Sequence, residues 1–168
     1  MQIHSTLRKQ AVAFVTILVA IALFLTACGT NSGSPAGSGS TPQPTTVPGY
    51  GTSNGCPSDV VVTAPQTAAN VTVKFNQVNS TVTAHNGDVI EIDLPFGRTW
   101  GGPTVSQGVL ELQPPAGYAS KTTNMCIWRF TAKGVGSTQL NFTARALCKK
   151  GQLCPMYIMA VPFTVVVK

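Results

Sequence analysis

Acid is what this chain has least of. Only five Asp and Glu stand in 168 residues, against eleven Lys and Arg, and there are two histidines. Catalysis by paired carboxylates needs two acids in differently tuned surroundings. Asp59, Asp88, Glu91, Asp93 and Glu111 show no such pairing, and Glu91 and Asp93 fall on one face of a strand, the pattern of a solvated surface. His85 is the one histidine beyond the amino-terminal segment, and its place beside Asn86-Gly87 reads as an exposed turn. A Ser/His/Asp set can be drawn on paper from His85, Asp88 and a serine, but nothing selects it, so no catalytic residue is assigned and no enzyme is expected. There is no Cys-x-x-Cys pair and no histidine near the cysteines, which removes the usual zinc spacing. No metal or cofactor is expected. Beyond the amino-terminal segment the bases are scattered apart from Lys149-Lys150, so the clustered stripe of a nucleic-acid surface is missing too.

What is present begins with a leader. Arg8-Lys9, an uncharged apolar run over residues 11–24, and Leu25-Thr26-Ala27-Cys28 follow in the order of a bacterial lipoprotein signal, with small residues before the cut. Residues 1–27 are therefore expected to leave, and Cys28 to carry acyl chains in the bilayer on the extracytoplasmic face of the cell membrane. Multiple chains anchor firmly where one is marginal, at about 0.8 kcal/mol per buried methylene. The competing reading, a retained span, has a run at the short edge of the roughly 17 to 25 residues required and no basic flank after it. Residues 28–55 are mostly Gly, Ser, Thr, Pro, Asn and Gln with almost nothing to bury, and are expected to form a flexible tether with a reach of about 30 Å.

From Cys56 onward the composition changes to short runs of Val, Thr, Ile and Phe broken by Gly, Pro and Asn, with no long series of helical period. One all-β domain over 56–168 is expected, with strands near 59–63, 71–75, 80–84, 89–94, 109–112, 127–132, 139–144 and 157–167, the last broken near Pro162. Asn86-Gly87 predicts a two-residue type I′ hairpin. Seven or eight antiparallel strands spaced in this way suggest an immunoglobulin-like β-sandwich. Trp128 and Phe130 alternate mid-strand and read as core. Cys56, Cys126, Cys148 and Cys154 are four in number and exported, which reads as disulfides with three possible connectivities. Cys148 and Cys154 bracket a short Gly-containing segment, so local pairing comes first, leaving Cys56 for Cys126.

Residues 87–95, residues 128–136 followed by Leu140-Asn141-Phe142, and residues 163–167 resemble strands of the chagasin-like family of cysteine-peptidase inhibitors. The resemblance covers about residues 78–168 and implies a sandwich, commonly monomeric, that presses three end loops into the cleft of a papain-like cysteine peptidase. Carried onto this chain, those loops fall at 95–103, 116–124 and 145–155. Where the first family motif reads Asn-Pro-Thr-Thr-Gly, this chain has Gly97-Arg98-Thr99-Trp100-Gly101. The middle loop has Gly117, Tyr118, Lys121, Thr122 and Thr123 in place of Gly-x-Gly-Gly, and the third has Arg145-Ala146-Leu147 in place of Arg-Pro-Trp. Trp100, set before two glycines and a proline, is expected either on an end loop as a binding hot spot or folded back over the end of the core. The alternative to an inhibitor is a non-inhibitory envelope module that keeps the sandwich and binds another ligand.

Overall fold

The computed structural model describes residues 43–63, 67–104 and 108–168. Cys28, its leader and most of the tether lie outside them. Among the described residues ten strands form two sheets: β1 (Thr45–Thr46), β2 (Val60–Val62), β3 (Val71–Lys74), β4 (Thr81–Ala84), β5 (Val89–Pro95), β6 (Arg98–Thr104), β7 (Leu110–Ser120), β8 (Met125–Ala132), β9 (Gly136–Ala146) and β10 (Ile158–Val167). The first sheet runs β1-β2-β7-β8-β5-β3 and the second β4-β10-β9-β6. Ile90, Ile92 and Leu94 alternate inward from β5, as do Trp128 and Phe130 from β8, and they meet Leu140 and Phe142 of β9 and Phe163 of β10. Trp128, Phe142 and Phe163 form an edge-to-face chain with centroids 5.1 and 5.9 Å apart. That geometry suits the ring quadrupoles and fills the middle of the sandwich.

All eight expected strands are present, and the departures have local causes. The pairing is not wholly antiparallel: β4 with β10, β2 with β7, and β3 with β5 run parallel. Asn86-Gly87 makes a turn but no hairpin, because β4 pairs in the second sheet and β5 in the first. Only Gly87 takes a positive φ, 90°, so the turn is not type I′. Its loop is closed by the Asp88 amide on the His85 carbonyl at 3.0 Å. Pro162 does not break β10, since β4 pairs only with Thr164–Val167 and leaves that side of Pro162 without a strand to serve.

Strand β7 runs to Ser120, far past its expected end. Between the Gln113–Arg129 and Tyr118–Ile127 pairs, four β7 residues oppose Trp128 alone. This bulge absorbs Pro114 and Pro115, which have no amide to give a ladder. Gly117 sits there with φ 64°, and a Cβ would collide with Pro57 and stand 2.9 Å from the Trp128 ring.

The folded region also begins ahead of the expected boundary at Cys56. Thr45–Thr46 pairs with Val60 and Val61, and Tyr50–Ser53 forms a one-turn helix, α1. The Asp59 carboxylate accepts from the Gly49 and Thr52 amides, both at 2.9 Å, and so holds that turn.

Cys56 is bonded to Cys126 and Cys148 to Cys154, at sequence separations of 70 and 6. By loop entropy the first bridge stabilises by about 4 kcal/mol and the second by about 2 kcal/mol. Replacing Cys56 and Cys126 by Ser is therefore expected to lower the urea midpoint by roughly twice as much as replacing Cys148 and Cys154. Equal losses would place the second bridge in the fold's foundation.

Candidate functional site

Strand directions bring the three expected loops to one end of the sandwich. The β5–β6 connection is only Phe96-Gly97, with Gly97 at φ 91°. The Phe96 amide donates to the Asn124 carbonyl of the β7–β8 turn at 3.3 Å, and the Gly97 amide to Asn54 at 3.2 Å. Arg98 pairs with Ala146 and Arg145 with Ile158, so the β9–β10 loop rises from the same end. The Cys56–Cys126 bridge fastens the α1 segment there as well.

The residues expected to make contact divide into two groups. Gly97, Thr99, Lys121, Thr122, Thr123 and Arg145 are exposed at this end, and Arg98, Ala146 and Leu147 are half-buried. Trp100, Gly101, Gly117 and Tyr118 do not belong to it. Trp100 lies inside β6, paired with Ala144 and 2 % exposed. Its Nε1 donates to the Pro95 carbonyl at 2.8 Å, and its ring meets the edge of Phe75 at 5.7 Å. The fold-back reading of Trp100 is the correct one, and Trp-Gly-Gly-Pro is strand: Gly101 pairs with Thr143 and leaves no room for a Cβ against that side chain. Gly117 and Tyr118 belong to β7 and are buried.

Others at this end were not legible beforehand. Tyr50, read as tether, lies 6.3 Å from the Phe96 ring, with the Lys121 ammonium 4.8 Å above its own ring. Arg98 sits over Phe75 at 5.5 Å. Such cation–π contacts hold long basic side chains in defined positions. In the β9–β10 loop Leu153 and Met156 are fully exposed, with Tyr157 and Ile158 largely so. The Gln152 amide bonds to the Lys149 carbonyl at 3.2 Å, so the tip between the two cysteines is a tight turn presenting Lys149 and Lys150. The lysine pair was visible in sequence; the exposure of the apolar residues was not, because their run reads as the start of a strand.

Glu91 and Asp93 correct the expectation of a solvated face. They lie on the outer face of the first sheet, opposite Arg129 and Ile127 of β8. Arg129 is 7 % exposed, with Nη2 donating to the Thr67 carbonyl at 2.6 Å and Nε 3.3 Å from Glu91 Oε2. Strands β2 and β3 stand on opposite sides of β8 in this sheet, and Thr67, ahead of β3, meets Arg129 of β8. Val62, Tyr118 and Ile127 make a small second core beside the charges. Burial raises the pKa of both carboxyls. Asp93 adds to the rise at Glu91 while Arg129 opposes it, and Lys74 opposes the rise at Asp93. The Tyr118 hydroxyl is pushed up to about 12, chiefly by burial.

No protein-family model and no curated protein matches the chain. Similar solved structures include the cysteine protease inhibitor EhICP2 from Entamoeba histolytica, 17% identical over 58% of this chain and 94% of that one, with a TM-score of 0.44. Amebosin is 13% identical over 60% of this chain and 100% of that one, with a TM-score of 0.37.

The raised carboxyls carry a sign. The folded chain holds protons that the unfolded chain has released, so these groups make stability fall as pH rises from the ordinary carboxylate range through their raised values. Asp59 acts oppositely: the Thr52 and Gly49 amides hold its pKa low, and its contribution is lost as pH falls below the ordinary range. Asp93→Asn is expected to flatten the loss of stability as pH rises above the ordinary carboxylate range in urea titrations. A parent protein more stable at pH 7 than at pH 5, with no change of slope in the variant, would contradict the assignment.

Proposed function

We propose that this protein is an extracytoplasmic lipoprotein, held by acyl chains on Cys28, that inhibits papain-like cysteine peptidases by seating one end of its sandwich in their cleft. The observation that carries the reading is the convergence of three connections on one end: Phe96-Gly97, residues 121–124 and residues 147–157. Each connection is flanked by at least one strand that resembles the chagasin-like family: β5 for the first, β8 for the second, β9 and β10 for the third. Inhibition of this kind asks for no chemistry from the inhibitor. It asks for a pre-ordered surface, since every side chain and loop already fixed reduces the entropy lost on binding. The Phe96–Asn124 bond, the Tyr50–Lys121 contact and the Cys148–Cys154 bridge supply that order.

The contact set differs from the one transferred by motif. With Trp100 in the core, the apolar contacts would come from Phe96, Tyr50, Leu153, Met156 and Tyr157, with Lys121, Thr122 and Thr123 in the middle. The burial of Trp100 also favours the second reading, an envelope module that has kept the sandwich and turned its end to another ligand. Titration of the full-length chain against papain-type peptidases separates the two. Inhibition at micromolar concentration or below is expected, weakened at least tenfold by Leu153→Ser with Met156→Ser and unchanged by Thr81→Ser on the far edge of the second sheet. No inhibition leaves the envelope module. The anchor is tested by Cys28→Ser, which is expected to release the domain from membranes; a variant that stays bound with an uncut leader would make residues 11–27 a span.

A further inference from the structure

Nine Lys and Arg follow Cys28, and in sequence they look dispersed. Folding gathers five of them at the loop end: Arg98 opens β6, Arg145 lies at the end of β9, Lys121 opens the β7–β8 turn, and Lys149 and Lys150 form the tip of the disulfide-closed loop. The whole chain has only five carboxylates with which to balance them. Asp88 belongs to the turn at the opposite end, and Glu111 is taken there by Lys133 at 2.9 Å. Glu91 and Asp93 lie covered on the outer sheet face. Asp59 is the one acid near the loop end, and both of its oxygens accept bonds from the α1 turn. Among the described residues no carboxylate stands within ion-pair distance of any of the five cations.

The same end carries the apolar exposure. Among the described residues six large hydrophobic side chains are exposed, and four of them are Leu153, Met156, Tyr157 and Ile158. Leu153 lies inside the ring closed by the Cys148–Cys154 bridge, and Met156, Tyr157 and Ile158 follow directly after it. Charge and apolar surface are thus segregated on one end, with Lys121 rising from the first sheet and Arg98, Arg145, Lys149 and Lys150 from the second.

We infer that the partner of this end is a protein whose apolar groove is bounded by an acidic rim, and that attraction between the rim and these five cations drives the encounter. The inference rests on the inhibitor reading and narrows its target to peptidases with an acidic surface about the cleft. Cations outside a groove act chiefly on association, and the effect is screened within about 10 Å at 0.1 M salt. Apolar groups inside it act on dissociation. The two parts of the surface therefore have separate kinetic signatures.

The test uses the full-length chain in neutral detergent and two active-site-blocked papain-type peptidases, one acidic and one basic around the cleft. Association with the acidic one is expected to be faster and to fall by about tenfold between low and high salt. Lys149→Glu with Lys150→Glu is expected to slow association by a similar factor at low salt while changing dissociation by less than about twofold, and Leu153→Ser with Met156→Ser to do the reverse. Circular dichroism checks that both variants fold. Equal, salt-insensitive association with both peptidases overturns the acidic-rim inference and leaves the inhibitor reading standing. Binding to neither overturns both. Sedimentation of Cys28→Ser protein with phosphatidylglycerol vesicles, abolished by the lysine reversals, would assign the cations to a lipid surface and also overturn the inference.

Discussion

The Cys56–Cys126 bridge fixes the entry of the chain to β8 at the end where the loops gather, and much of that end depends on it. The segment before Cys56 has little apolar content, so burial alone would leave it loose. Tied at Cys56, it folds into α1, places the Gly55 carbonyl where it accepts the Trp100 amide at 2.8 Å and the Asn54 carbonyl where it accepts that of Gly97. Those two bonds set the start of β6. Strand β6 in turn puts Trp100 into the core and Arg98 at the rim. One covalent constraint therefore converts a stretch that reads as tether into the support of the first loop.

The fold was legible because its signals are local. Alternation in β5, β8 and β9 follows from a sandwich with one dry face per sheet, and each of those strands forms where its pattern says it should. The cysteines were legible for the same reason: a six-residue separation closes easily, and the remaining pair follows. Sheet assignment was not. Whether the chain crosses between sheets at Asn86-Gly87, or stays in one, depends on which partner strand waits on each side, and β10 waits for β4 from the far end of the sequence. Gly102-Pro103 in β6 and Pro-Pro-Ala-Gly in β7 carry loop residues within strands because they sit at breaks in register, between stretches that β9 and β8 hold in the ladder on either side. Tertiary pairing outweighs such local preferences, which span only about 1 kcal/mol.

For the site, the residue types of the loops were legible and their partners were not. Lys121, Thr122, Thr123 and Arg145 stand where the resemblance places them, yet their meaning changes with neighbours distant in sequence. Tyr50 beneath Lys121 makes that lysine a fixed cation. A count of eleven bases to five acids says mild surplus; the fold makes it a strong local one, by turning most of the acids toward the opposite end and the outer face.

The covered charges of the outer face and the bare charges of the loop end answer to opposite physical demands. Arg129 loses its hydration on burial, which is tolerable only because the Thr67 carbonyl and the Glu91 carboxylate take over part of it. A single removed partner there should cost stability and nothing else. At the loop end four of the five cations stay exposed to water and Arg98 is half-buried over Phe75, so their mutual repulsion is small and the domain tolerates them without carboxylates. Stability gives no reason for gathering five unpaired cations beside four exposed apolar side chains, and an isolated domain would be no worse with them dispersed. The reason must come from something that approaches this end, and an opposite charge around an apolar hollow is the surface that would use both.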